Sequence, residues 1–223
     1  MPHPNPPKHI GVILFPGFQL LDVAGPLDVL NILSKTYPLR LSILAQTLDP
    51  VSTAHNVEPT IPGSDFAESI VPTHTFANPP KDLDVAIIPG GFGTRDEEVM
   101  GSVVGFVKGL GGLRWIITVC TGSAVLARTG LLDGKRATSN KKAFAWVKQQ
   151  SPAVHWVSKA RWVVDGNIWT SSGISAGIDL IYAWVGSVWG EEVASLIADS
   201  SEYERNTDSG RDRFAERWGV AKL

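Results

Sequence analysis

The sequence predicts a three-layer α/β/α sandwich, a single domain built on a mostly parallel, doubly wound sheet. Three observations predict it. Short, nearly continuous apolar runs recur at 10–15, 83–88 and 114–119, the pattern of strands buried on both faces. Each run ends in a turn or a glycine and is followed by a stretch with helical spacing, so strand and helix alternate along the chain. A chain of 223 residues with 43% hydrophobic content can bury one sizeable core and needs no second domain.

Taken in order, residues 1–9 are proline-rich and carry no apolar core of a secretory signal, which predicts a disordered arm. Ile10-Gly11-Val12-Ile13-Leu14-Phe15 reads as a buried strand stopped by Pro16-Gly17. Pro26 suits the first turn of a helix, and Leu27, Leu30 and Leu33 follow at helical spacing. Residues 39–45 predict a second strand. From 51 to 80 the chain is broken by Pro59, Pro62, Pro72, Pro79 and Pro80, leaving room for short strands alone. A strand at 83–88 runs into Pro89-Gly90-Gly91, a helix spans 97–110, and Gly111-Gly112 stops it. The strand at 114–119 delivers Cys120, and a buried helix follows to Ala127. Beyond it come a short strand at 137–139, a helix at 142–150 and a strand pair at 154–157 and 160–164. After a turn at 165–167 the last strand is 168–170, with helices at 174–189 and 191–200 and a charged tail or helix at 201–223. The domain therefore spans 10–200.

Composition narrows the function. The formal net charge of −2 and the lack of a basic stripe argue against nucleic acid, and Lys141-Lys142 reads as part of a solvated helix face. A single cysteine excludes an internal disulfide and a cysteine-rich metal site, which fits a cytoplasmic protein. The five histidines lack metal-ligand spacing, so no metal and no cofactor is expected. No stretch approaches the roughly 18 apolar residues that a membrane span needs.

The most informative stretch is Ile116-Ile117-Thr118-Val119-Cys120-Thr121-Gly122-Ser123, which sets the cysteine between a strand and a helix. A lone cysteine in apolar company is otherwise an inert hydrophobe. At a strand-to-helix corner it meets free helix N–H groups and the positive end of a dipole, which favour thiolate and predict a nucleophile. Sites in such sheets lie beyond the carboxyl ends of the strands. Three of those ends are Pro16-Gly17, Gly90-Gly91 and Cys120, so they gather on one edge. The N–H groups of Gly91 and Thr121 are the candidate halves of an oxyanion hole. Asp22, in the apolar company of Leu20-Leu21-Asp22-Val23-Ala24, serves either as a helix-end acid or as a buried partner of Cys120. In the second role burial raises its pKa and keeps a proton available.

These motifs together resemble the ThiJ/PfpI superfamily, a branch of the class I glutamine amidotransferase-like fold. The resemblance rests on Phe15-Pro16-Gly17 with Asp22-Val23-Ala24-Gly25-Pro26, on Ile88-Pro89-Gly90-Gly91, and on Val119-Cys120-Thr121-Gly122-Ser123. It rests too on the run from Gly130 to Thr138 and on Ser172-Gly173-Ile174-Ser175-Ala176-Gly177-Ile178-Asp179. Within the superfamily the chain looks most like the isocyanide hydratase group, where an aspartate replaces the glutamate of other branches. The resemblance implies a flavodoxin-like sheet, a nucleophilic Cys120 on a nucleophile elbow, a partnering Asp22 with Thr121 beside them, and a pocket loop containing Gly173 and Ile174. It also implies a homodimer, at whose interface some of the eight tryptophans are expected. Ser171-Ser172 stands where glycines are common in relatives. Hydrolase-like and glyoxalase-like relatives place histidine near Ala137-Thr138-Ser139-Asn140-Lys141, and this sequence has none there.

The leading expectation is hydration of an organic isocyanide, a small-molecule substrate, to an N-substituted formamide, a lyase reaction. Alternatives are a glutathione-independent glyoxalase or deglycase acting on small dicarbonyls, and an oxidative-stress sensor in which Cys120 becomes a sulfinic acid. AraC-type regulators append a helix-turn-helix module of about a hundred residues. Only about two dozen residues follow Ser200, with Arg205, Arg211, Arg213 and Arg217 among them, and they predict a terminal helix or an oligomer arm.

Overall fold

The computed structural model describes residues 3–57 and 60–220. Met1, Pro2, Pro59 and residues 221–223, on which parts of the arm, the breaker pattern and the tail were read, lie outside the described residues.

From the amino terminus the elements are β1 (His9–Ile13), α1 (Leu20–Leu33), β2 (Arg40–Ala45), and three short strands, β3 (Val51–Ser52), β4 (Ser69–Ile70) and β5 (His74–Thr75). Then come β6 (Val85–Ile88), a 3₁₀ turn at Phe92–Arg95, α2 (Glu97–Lys108), β7 (Trp115–Thr118), α3 (Gly122–Arg128), β8 (Arg136–Ala137) and α4 (Phe144–Lys148). The chain closes with β9 (His155–Trp156), β10 (Trp162–Asp165), β11 (Ile168–Ser171), α5 (Ala176–Trp189), α6 (Glu191–Ser200) and α7 (Phe214–Arg217). Seven strands form the central sheet in the order β10-β11-β7-β6-β1-β2-β5. Its pairs are parallel except β10 with β11, a hairpin turning at Gly166. This is the mostly parallel, helix-covered α/β sheet that the alternation predicts.

The continuous apolar runs are explained by burial. Every residue of β1 and of β6 is buried, because helices cover both faces of the sheet. β1, β6 and β7 are adjacent in the sheet, with Ile88 of β6 in register with Thr118 of β7, so their carboxyl ends lie side by side. That adjacency builds the site.

Several elements differ from the sequence reading. α1 starts at Leu20, and Pro26 sits inside it rather than at its first turn. A proline this early removes one intrahelical bond, and packing of Val23, Val29, Leu30 and Leu33 in the core outweighs it. The pair expected at 154–157 and 160–164 does not form. β9 runs parallel to β8 instead, with Arg136 opposite His155, while β10 pairs with β11.

The described part of the arm lies against the domain. His3 N–H donates to Val188 O at 2.8 Å, and β1 already begins at His9. His9 is 2% exposed, its ring held between Asp82 (2.9 Å) and Ser42 (2.8 Å). The tail also folds back: Arg161 N–H donates to Ser209 O, Asp212 N–H donates to Lys159 O, and Ala215 and Val220 pack on Phe144. Lys141 is no solvated lysine, being 2% exposed. Trp162, Trp169, Trp184 and Trp189 are buried in the domain, and Trp218 is exposed. Among the described residues no helix is long and apolar enough to cross a membrane.

Candidate functional site

Cys120 lies two residues beyond β7 and two before α3, with φ at +57°. A non-glycine residue in the left-handed region carries strain of about 1–3 kcal/mol, so the surroundings must hold it there. They do so through both peptide groups. Cys120 N–H donates to Ser172 O at 3.1 Å, and its carbonyl accepts from Ser139 Oγ (2.9 Å) and Ser123 Oγ (3.2 Å). A Cβ on Gly122 would stand 2.2 Å from Ile88 O, so glycine is what lets α3 start this close to the end of β6.

The side chain is turned into the protein, leaving Cys120 6% exposed. Asn140 Nδ2 donates to the sulfur at 3.1 Å, and the N–H groups of Ile174 and Thr121 also favour its charged form. Ile174 is itself left-handed, at φ +48°, so two strained residues face each other across the sulfur. Gly173 makes the room, since a Cβ there would meet Asn140 Nδ2 at 2.5 Å.

Asp22, in the first turn of α1, is fully buried. Its Oδ2 accepts the N–H of Gly90 at 2.8 Å, while Oδ1 has no hydrogen-bond partner. Burial pushes its pKa up to about 7, opposed by the Gly90 N–H and by the Cys120 thiol, which approaches without the geometry of a full hydrogen bond. Burial and the Asp22 charge together push the Cys120 thiol up to about 12. Burial therefore works against what the helix end favours. α3 is seven residues long, and removal of the sulfur from water outweighs its few N–H groups. Burial and the neighbouring acid thus oppose the thiolate that Asn140 and the Ile174 and Thr121 N–H groups favour, and burial favours the protonated carboxyl of Asp22.

The glycines turn out to position α1. Gly91 N–H is engaged by Thr121 Oγ1 at 3.0 Å, so it is not the open oxyanion donor that the motif suggested. A Cβ on Gly91 would stand 2.2 Å from Gly17 O, and Gly90 O accepts the N–H of Gln19 at 2.8 Å. The end of β6 is thus stitched to the entry of α1, which aims Asp22 at Cys120. Thr121 Oγ1 also accepts from Thr94 Oγ1 at 3.2 Å, tying the 3₁₀ turn to the same corner.

Three residues at the site escaped sequence reasoning. Asn140 stands in the segment where the resemblance looks for histidine, and that position was its signal. Lys141 clamps the same segment, its Nζ donating to Thr138 Oγ1 (2.7 Å), Ala160 O (2.7 Å) and Ser139 O (3.3 Å). Arg95 lies on the Trp146 ring, 4.5 Å from its centroid, close enough to sense the charge of Cys120. His74 and His155 lie elsewhere. His74 sits on the edge strand β5, bonded to Thr73 Oγ1, and His155 is exposed on β9.

The DJ-1/PfpI family matches residues 8–186. Isonitrile hydratase of Pseudomonas putida is 34% identical over 201 residues, 87% of this chain and 78% of that protein. The HTH-type transcriptional regulator GbdR of Pseudomonas aeruginosa is 28% identical over 207 residues, 92% of this chain and 53% of the regulator. Among solved structures, a THiJ/PfpI family protein from Pseudomonas syringae is similar with a TM-score of 0.73 at 28% identity, covering 100% of this chain and 92% of that one.

Proposed function

The chain belongs to the DJ-1/PfpI family, and from that footing we propose that it is a cysteine-dependent hydratase converting an organic isocyanide to an N-substituted formamide. The observation that carries the reading is the fully buried Asp22 carboxyl beside Cys120, with an amide, not an imidazole, on the sulfur.

In the proposed reaction the Cys120 S–H proton passes to the Asp22 carboxylate. The sulfur then bonds to the terminal carbon of the isocyanide as Asp22 returns that proton to the same carbon, giving a thioimidate. Water adds to this carbon, its proton reaching the nitrogen through Asp22, and the C–S bond breaks to release the formamide and the thiol. Atoms balance as one isocyanide plus one water. Each step asks for one group that gives and takes a proton near neutral pH, which suits a carboxyl with a raised pKa. The narrow access to a sulfur 6% exposed suits the slim, linear end of an isocyanide. The N–H groups of Thr121 and Ile174 and the Asn140 amide would stabilise the sulfur as it gains charge.

The test is parallel assay of the wild type, Cys120→Ala and Asp22→Asn on an alkyl isocyanide and on methylglyoxal. Formamide formed by the wild type and lost in both variants is expected. Formamide production that survives loss of Cys120 would overturn the mechanism. Turnover of methylglyoxal alone would transfer the assignment to the glyoxalase reading. A sensor reading draws on one further feature, the three N–H donors around the sulfur, which suit an oxidised sulfur oxyanion as well.

We further propose a homodimer as the working form. Leu21 (41% exposed), Phe92 (42%) and Phe66 (91%) border one cleft beside α1, an apolar surface that a second copy would cover.

A further inference from the structure

The 201–220 segment borders an open cleft of about 460 Å³ lined by Arg161, Ser175, Asn206, Asp208, Arg211, Arg213 and Phe214. We propose that this cleft is a binding site for a small molecule bearing a carboxylate or a phosphate, separate from Cys120.

The wall is built of donors. Asp179 takes the Nε and Nη2 of Arg161, each at 2.6 Å, which fixes the guanidinium and leaves Nη1 without a protein partner. Asp179 is itself held by Tyr203 Oη (3.0 Å) and the Asn206 N–H (2.9 Å), so this anchor is rigid. Asn206 Oδ1 accepts the N–H of Asp208 at 3.0 Å, so the amide presents its NH₂ end as the free one. Ser175, exposed at the rim, has no side-chain hydrogen bond among the described residues. Arg211 forms no ion pair among the described residues, and Arg213 lies over the Phe214 ring, 5.1 Å from its centroid. Asp208 is the single carboxylate of the lining, and its Oδ1 is occupied by the Gly210 N–H at 2.9 Å. With Arg161 neutralised by Asp179, two further, exposed guanidiniums face one carboxylate, beside the exposed side chains of Ser175 and Asn206. An oxyanion supplies both the charge and the acceptors, in the forked geometry that arginine recognises.

The position adds a consequence. Ser175 follows Ile174, whose N–H supports the Cys120 sulfur, so an anion held on Ser175 sits one residue from the site.

Binding is read without turnover and is therefore independent of the proposed reaction. Calorimetric titration of the full chain with inorganic phosphate and with benzoate, at constant ionic strength, should show one saturable site for at least one of the two. Phosphate binding more tightly assigns a phosphate-bearing ligand, and benzoate more tightly a carboxylate. Asn206→Asp keeps the acceptor for the Asp208 N–H but places a charge in the cleft, and should weaken binding at least tenfold with its melting temperature unchanged. Arg211→Gln combined with Arg213→Gln should do the same. Absence of saturable binding of either anion by the wild type, or unaltered binding by both variants, would overturn the proposal.

Discussion

Asn140 donates its side-chain amide to the Cys120 sulfur at 3.1 Å, and its own Oδ1 accepts the Ala143 N–H at 3.1 Å. The amide is therefore oriented by the entry of α4 rather than by the sulfur, and it meets the charge preorganised. Asn140→Ala removes this donor. A hydrogen bond to a charged acceptor contributes about 1.5–3 kcal/mol, so alkylation of Cys120 by iodoacetamide at fixed pH should slow roughly tenfold or more. An unchanged alkylation rate would show that the amide is only a spacer.

Asp22 predicts a pH dependence of stability. Its folded pKa of about 7 lies above the ordinary carboxyl value of 3.8, so the folded state binds the proton more tightly. The resulting stabilisation is complete below pH 3.8 and is lost as pH rises through 7. Asp22→Asn keeps an acceptor for the Gly90 N–H and cannot ionise. At pH 8 it should be more stable than the wild type by about 1–3 kcal/mol, after allowance for its unsatisfied buried N–H, and the advantage should vanish near pH 4. Denaturant midpoints at the two pH values measure this. The same variant should lose formamide production, so stability and activity move in opposite directions.

What the sequence revealed and what it hid follow from the same physics. β1, β6 and β7 were legible because a strand covered on both faces has no polar side to confuse the pattern, and Cys120 because a lone thiol at such a corner is unusual. The start of α1 was hidden because Pro26 normally opens helices, whereas here core packing carries the helix across it. β9 found β8 because two-residue strands have no pattern of their own and pair where the surrounding elements place them. The burial of Cys120 was hidden because a helix end is visible in sequence, while the depth of burial that opposes it depends on tertiary packing. Asn140 and Lys141 are ordinary polar residues whose bonds to the Cys120 sulfur and to Ala160 O only the tertiary fold creates.

Lys141 gives a third prediction. Burial lowers its pKa from 10.5 to about 8, so the unfolded chain binds the proton more tightly and stability should rise as pH increases from about 8 to 10.5. Lys141→Met should abolish that rise. It should also leave the Ala160 carbonyl without this donor and loosen the segment that holds Asn140. Chemical denaturation followed from pH 7 to 10 tests the first effect, and a slower alkylation of Cys120 in the same variant tests the second.

Two glycines make a final, paired prediction. A Cβ on Gly90 would stand 2.5 Å from Thr121 N and 2.5 Å from Thr121 Oγ1, and the first of these is backbone that cannot swing aside. Gly90→Ala must therefore push the end of β6 away from the α3 entry, moving the N–H that Asp22 accepts and the corner that strains Cys120. A loss of about 2–4 kcal/mol is expected, of the size seen for forced overpacking and backbone shifts. Gly101, exposed on α2, has nothing within 4 Å of its Cβ position. There the alanine only restricts the unfolded chain and favours helix, so Gly101→Ala should stabilise by about 0.5–1 kcal/mol and leave Cys120 chemistry untouched. Thermal melts of the two variants side by side decide it. A mild effect at Gly90 would mean that the corner can relax, and the close stitching of β6 to α1 would no longer explain how Asp22 is aimed.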